Sequence, residues 1–241
     1  MMSRLSSLLL AAALSALAGC AADLPGSPGQ LGTVRFEYAT PGVCAACAVD
    51  REVLAGSVLD IEMYGLNVKT AYQVRSSAPD IADFQATTRC RFLGEENCKY
   101  GVAVFTKKAG DADLEVYDEW TGTVLDRVTV RVRDAAWLET TVKAEGPGSA
   151  DLAPAPDGVF ELKVDSNLAI VSTAHGASGS ELIATSAAIN SAYRDVDVVG
   201  PRPDYADASP TEYAKAKSPG TAIVAIAGAG ARQELRFRVA P

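Results

Sequence analysis

Val128-Thr129-Val130-Arg131-Val132 sets three valines on one side of the chain and Thr129 and Arg131 on the other. A period of two sends successive side chains to opposite faces of a strand, one toward a core and one toward water. The pattern spreads outward from there. Upstream, Val34, Phe36 and Tyr38 alternate with Arg35 and Glu37, and Leu59, Ile61 and Met63 alternate with Asp60 and Glu62. Tyr72 and Val74 flank Gln73, and Leu114 and Val116 flank Glu115. Turn-forming residues stand between these runs, at Ala55-Gly56, Ala78-Pro79-Asp80, Ala109-Gly110-Asp111 and Thr121-Gly122. Short alternating strands punctuated in this way predict antiparallel sheets packed as a sandwich.

The same grammar returns downstream. Trp137 to Val142 reads as the first strand of a second half, and Phe160, Leu162 and Val164 alternate with Glu161, Lys163 and Asp165. Leu168 to Val171 and Leu182 to Ala184 are shorter strand candidates, and Ala187-Ala188-Ile189 reads equally as a helical turn or a strand. Leu235, Phe237 and Val239 repeat the Val128 to Val132 pattern, and Gly220-Thr-Ala-Ile-Val224 echoes Gly101-Val-Ala-Val-Phe105. On that alignment the stretch from Gly220 to Val239 lacks about one strand and turn relative to that from Gly101 to Val132. Gly146-Pro147-Gly148-Ser149 and Pro154-Ala155-Pro156 form loops between the halves. The expected fold class is therefore all-β, with one antiparallel β-sandwich over residues 31–134 and a second over 135–241.

Before the first strand, Arg4 precedes the apolar run Leu8 to Leu17, which is too short to span a bilayer as a stable helix. The run ends in Leu17-Ala18-Gly19-Cys20, which resembles the lipobox of bacterial lipoproteins. That resemblance implies a signal peptide over residues 1–19 and a lipid-modified thiol at Cys20, where two or more acyl chains anchor stably and one does not. The competing reading is a secretory signal cleaved near Ala22 with Cys20 lost. Residues 20–30 follow as a Pro- and Gly-containing tether with a reach of roughly 20 Å by random-coil scaling. By resemblance to enterobacterial sorting, Ala21 after the cysteine implies the outer membrane.

A second resemblance rests on four segments. Gly56-Ser-Val-Leu-Asp-Ile61, Val74-Arg-Ser-Ser-Ala-Pro-Asp-Ile-Ala-Asp-Phe84, Gly101-Val-Ala-Val-Phe105 and Asp126-Arg-Val-Thr-Val-Arg-Val132 together resemble bacterial immunoglobulin-like domains of the group 2 kind. The likeness covers about residues 33–133 and, more faintly, 136–240. It implies immunoglobulin-like sandwiches exposed outside the cytoplasm, often as spacer or adhesive modules, and it implies no reaction. The insert around Cys90 to Cys98 departs from the pattern.

Composition bounds the partners. The formal net charge is −8, and Arg4 leaves with the leader, so nucleic acid and anionic membrane surfaces are disfavoured. Of five cysteines, Cys44, Cys47, Cys90 and Cys98 remain beside Cys20, and four thiols in an oxidising compartment suggest two disulfides. The local pairing, Cys44 with Cys47 and Cys90 with Cys98, is the first expectation because turn-like residues lie between each pair; its rival crosses the domain.

Each chemical candidate has a structural competitor. Cys44-Ala-Ala-Cys47 would support thiol-disulfide exchange at a helix N-terminus, but strand signals surround it, and the wide Cys90 to Cys98 spacing argues against zinc. His175, the only histidine, and Ser178 in Gly176-Ala-Ser-Gly-Ser180 miss the nucleophile-elbow pattern and read as a Gly/Ser loop. Asp195, Asp197, Asp204 and Asp207 could offer oxygen to calcium, although their spacing matches no EF-hand loop. Trp120 sits at a hairpin tip, where packing back on its own sheet is expected over contact with a glycan or protein. The expected function is a membrane-anchored envelope module, non-catalytic and without cofactor, meeting a protein or glycan partner. The alternatives are a small-ligand or calcium-binding receptor and, behind it, a thiol-disulfide enzyme using Cys44 and Cys47.

Overall fold

A computed structural model describes residues 26–40, 42–66, 71–89, 99–145, 149–202 and 209–241. The first half contains β1 (Ser27–Pro28), β2 (Arg35–Thr40), β3 (Cys44–Ala48), β4 (Val53–Leu54), β5 (Val58–Tyr64), β6 (Tyr72–Ser76), β7 (Ala82–Arg89), β8 (Lys99–Thr106), β9 (Gly110–Asp118) and β10 (Val124–Arg133). One sheet runs β1-β2-β5-β8-β7 with β3 added to β2, and the other runs β4-β10-β9-β6. The second half contains β11 (Trp137–Ala144), β12 (Val159–Lys163), β13 (Asn167–His175), β14 (Glu181–Leu182), β15 (Asn190–Arg194), β16 (Val199–Pro201), β17 (Thr211–Ala216), β18 (Gly220–Gly228) and β19 (Ala231–Ala240). Its sheets run β11-β13-β17-β16, with β14 added to β13, and β12-β19-β18-β15. These are two immunoglobulin-like β-sandwiches in one chain. The strands pair antiparallel within each sheet except that β4 and β12 lie parallel to the closing strands β10 and β19.

Alternation explains what is buried. Phe36 and Tyr38 on β2, Leu59 and Ile61 on β5, and Val130 and Val132 on β10 are inaccessible to solvent or nearly so, and they pack into one core. Leu168, Ile170, Val224, Phe237 and Val239 do the same in the second half. Each such side chain contributes about 1.5–3 kcal/mol on leaving water.

The repeat is real, but its register differs from the sequence alignment. Gly220 opens β18 with φ 150° and is matched by Gly110, which opens β9 with φ 148°; Gly101 lies inside β8. A Cβ on Gly110 would stand 2.5 Å from Ile81 Cδ1, and one on Gly220 would stand 3.0 Å from Val198 Cγ2. Both apolar residues close a short turn, with Lys107 N–H donating to Ile81 O at 2.7 Å and Lys217 N–H to Val198 O at 2.8 Å. On this frame no strand is missing between β4 and β10, because β12, β13, β15, β16, β17, β18 and β19 answer β4, β5, β6, β7, β8, β9 and β10. The interval from Gly220 to Val239 is short because Gly101 lies one strand earlier in the frame than Gly110, and because β18 and β19 join through the tight Ala229-Gly230 turn, where Gly228 pairs with Ala231. Ala187 to Ile189 is a turn, with the Ala188 and Ile189 amides donating to Thr185 O.

The halves interlock where β10 runs into β11. Leu54, from the first half, is fully buried in the second core, and Ile183, from the second half, is 4% exposed in the first. Backbone bonds tie the two crossings: Leu54 N–H donates to Ile183 O at 2.8 Å, and Ile183 N–H donates to Glu52 O at 2.8 Å. Glu52 also accepts from Arg133 Nε at 2.9 Å and from Ser180 Oγ at 3.0 Å. Buried Ala135 donates its N–H to Ala229 O at 2.6 Å. The strand predicted over Leu182 to Ala184 is thus divided, since only Glu181–Leu182 pairs with β13 while Ile183 bridges to Val53.

Candidate functional site

Cys44 to Ala48 is a strand, β3, paired with β2 through Tyr38↔Cys47 and Thr40↔Cys44 with a register shift between them. The turn expected between the two thiols is absent, and so is the helix N-terminus that would stabilise a thiolate. Cys47 is held in a disulfide, and Arg51 Nη1 donates toward its Sγ at 3.3 Å. Cys20, Cys90 and Cys98 lie outside the described residues, as does the side chain of Cys44, and the pairing lies there too.

His175 and Ser178 belong to different groups. The imidazole stacks on Trp137, with ring centroids 5.0 Å apart and planes 6° apart, and its Nε2 meets Glu139 Oε2 at 3.1 Å. Ser178 Oγ lies 2.8 Å from Ser180 Oγ, which donates to Glu52 across the junction. The first is a cross-strand ladder between β11 and β13, and the second closes the loop between β13 and β14. Asp195 adopts φ 64° and its carbonyl accepts the amides of Val198 and Val199, which makes it a turn residue. Asp204 and Asp207 lie outside the described residues. No group of three or more His, Cys, Asp or Glu able to hold a metal ion occurs among the described residues. Tyr38, Tyr64 and Tyr193 have phenols raised above their ordinary range by burial first, with Asp50, Glu62 and Glu212 respectively adding to it.

Trp120 overturns the expectation that it packs on its own sheet: it is 82% exposed. Asp118 sets its position, because Oδ1 accepts the amides of Trp120 at 2.9 Å and Thr121 at 2.8 Å and so folds the β9–β10 connection into a compact tip. Those amide bonds hold the Asp118 carboxyl below its ordinary value. At the same end of the sandwich, the chain between β1 and β2 is pinned by Asp126. This carboxylate is fully buried and accepts amides from Leu31, Thr33, Val34 and Arg127 at 2.7–2.8 Å. It lies on the same face of β10 as Val130 and Val132, just after a bulge between Val124 and Asp126. Gly29 is required there, since a Cβ would fall 2.3 Å from Asp126 Oδ1. Leu31, at the crest of this loop, is 56% exposed. A tryptophan set between Asp118-Glu119 and Thr121-Gly122 was the one sequence signal for an exposed tip, while for Asp126 the signal was its phase with Val128, Val130 and Val132, masked by its charge.

No family matches the chain, and no curated protein matches it. Among solved structures, domains 4 and 5 of the S-layer protein SbsC are 12% identical with a TM-score of 0.31, covering 72% of this chain and 79% of that one. The Escherichia coli adhesin FdeC is 11% identical with a TM-score of 0.31, covering 87% of this chain and 64% of that one. The Yersinia pseudotuberculosis adhesin InvE is 12% identical with a TM-score of 0.30, covering 87% and 59%.

Proposed function

We propose that the chain is an exported lipoprotein, held to the cell envelope through lipid on Cys20, whose paired sandwiches act as a non-catalytic display or interaction module. The observation that carries this reading is the interlocked junction. Leu54 and Ile183 each complete the other half's core, so the two sandwiches form a stiff body on a short tether, which suits presentation of loops or strand edges to a protein or glycan partner. The lipobox-like Leu17-Ala-Gly-Cys20 supplies the anchor in this reading, and the disulfide at Cys47 suits an oxidising compartment. Non-reducing peptide mass mapping of protein taken from membranes tests it. A diacylglyceryl group on Cys20, and release of the Cys20→Ser variant from the membrane fraction, is the expected result. An unmodified Cys20, or a Cys20→Ser variant that stays membrane-bound, contradicts it.

A further inference from the structure

Five large hydrophobic side chains are exposed among the described residues, and only Leu31 and Trp120 exceed half exposure. Both occupy the end of the first sandwich remote from the junction. Trp120 lies in the β9–β10 connection just before β10 begins, and Leu31 N–H is fixed to Asp126 two residues into that strand. The tether joins the sheet near this end, entering β1 from beside Glu37: Ser27 and Pro28 pair with Phe36 and Arg35, and Arg35 opens β2 opposite Tyr64, the last residue of β5. From Cys20 to Ser27 the chain can extend about 25 Å at most, so a lipid on Cys20 keeps Ser27 within that distance of the bilayer surface and leaves the tip beside it in reach.

We infer that Leu31 and Trp120 form a membrane-docking tip that seats the first sandwich against the lipid interface, with the second sandwich held outward. The inference rests on the proposed lipidation of Cys20. An indole with an apolar body and one N–H donor suits the headgroup boundary, where tryptophan concentrates. Asp118 does not oppose the docking strongly, because its carboxylate is already satisfied by the backbone of its own turn. The occupant fits a zwitterionic lipid surface, since the chain as a whole is acidic.

The chain holds two tryptophans, which makes the test selective. Full-length lipidated protein carrying Trp137→Phe, so that Trp120 alone emits, is reconstituted into phosphatidylethanolamine/phosphatidylcholine vesicles with or without acyl-chain bromine. The expected result is a blue shift on reconstitution and loss of the larger part of the Trp120 emission to brominated lipid. The Trp120→Phe counterpart, which reports Trp137 near the junction, shows neither. Lipidated protein on vesicles with Trp120 emission unchanged and unquenched overturns the docking while leaving the anchor intact. Absence of lipid on Cys20 by mass overturns the anchor reading itself. A Leu31→Ser variant sharpens the assignment: quenching of Trp120 is expected to weaken, and full quenching would remove Leu31 from the tip.

Discussion

The two sandwiches share a frame down to the glycine that opens β9 and β18, yet they secure the flank beside their first strand differently. In the first half, a buried carboxylate, Asp126, gathers four backbone amides from the segment that leads in from the tether and from its own strand. In the second, the chain folds back on β11 through backbone bonds, Leu152 N–H to Val142 O at 2.8 Å and Ala144 N–H to Ala150 O at 3.1 Å, with an exposed Lys143–Asp151 ion pair beside them. Burying a charge is costly unless its acceptors are saturated, and here they are. The difference teaches that the first half is built to hold the chain where it leaves the sheet, which is where an anchor would pull. The second half repeats the same sandwich, and its specialised contacts face its neighbour.

The largest expected effect comes from removing the pin that only one half possesses. Asp126→Ala leaves several donors without an acceptor and is expected to destabilise by on the order of 4 kcal/mol. The loss should be read as a lower urea midpoint, with exchange of the Leu31, Thr33 and Val34 amides accelerated ahead of β11 to β19. Uniform acceleration in both halves would erase the contrast.

Next comes the exchange of anchors. Leu54→Ala truncates a fully buried side chain at an expected cost of roughly 2–5 kcal/mol. Hydrogen exchange should place the loosening in the second core as well as the first, because that is where Leu54 packs.

Gly110→Ala and Gly220→Ala then test the shared frame. Each puts an L-residue at a φ that favours glycine and presses a Cβ against Ile81 or Val198, so each should cost about 1–3 kcal/mol. Similar losses would confirm the register of the repeat, and a silent Gly220→Ala would break it.

A smaller effect, of opposite sign, is expected where the frame is met less well. Gly56, at φ 89° before Ser57, has Asp165, at φ 68° before Ser166, as its counterpart. The amides of Gly56 and Asp165 donate to Thr106 O and Ala216 O respectively. Asp165→Gly should relieve backbone strain and stabilise by up to about 1 kcal/mol, offset in part by loss of the Lys215 ion pair. A lowered melting temperature would show that the ion pair outweighs the strain.

The last effect is local. The Asp118 carboxyl is held below its ordinary value mainly by the Thr121 amide. Its contribution is present above the unfolded carboxylate value, about pH 4, and is lost as pH falls through the folded value. Trp120 emission in Trp137→Phe should therefore change only in strongly acidic solution, and Asp118→Asn should abolish that change.

Strand alternation was legible because a half-buried strand writes its two faces directly into the sequence. Val128 to Val132, Leu59 to Met63 and Leu235 to Val239 became β10, β5 and β19 as expected. Register across the repeat was not legible. Gly101 and Gly220 both precede a small-apolar run, and only the turn residue packed beneath the glycine, Ile81 or Val198, tells a strand opening from a strand interior. Nor could the sequence say whose core an apolar side chain enters, so Leu54 and Ile183 read as ordinary members of their own halves. Asp126 falls in phase with Val128, Val130 and Val132 on the inward face, so the period pointed to its burial and only its charge argued for solvent. Trp120 was misread because a large aromatic gains by packing wherever a neighbour is in reach, whereas the turn closed by Asp118 holds it out in solvent.

The interlocked junction makes the two sandwiches one cooperative body, and equilibrium urea unfolding of the single-tryptophan variants tests that most directly. Trp120 in Trp137→Phe reports the first half, and Trp137 in Trp120→Phe reports the second, each with and without Leu54→Ala. The account predicts coincident transitions that Leu54→Ala moves together to lower urea. Two separated transitions, or a Leu54→Ala shift confined to one reporter, would contradict it.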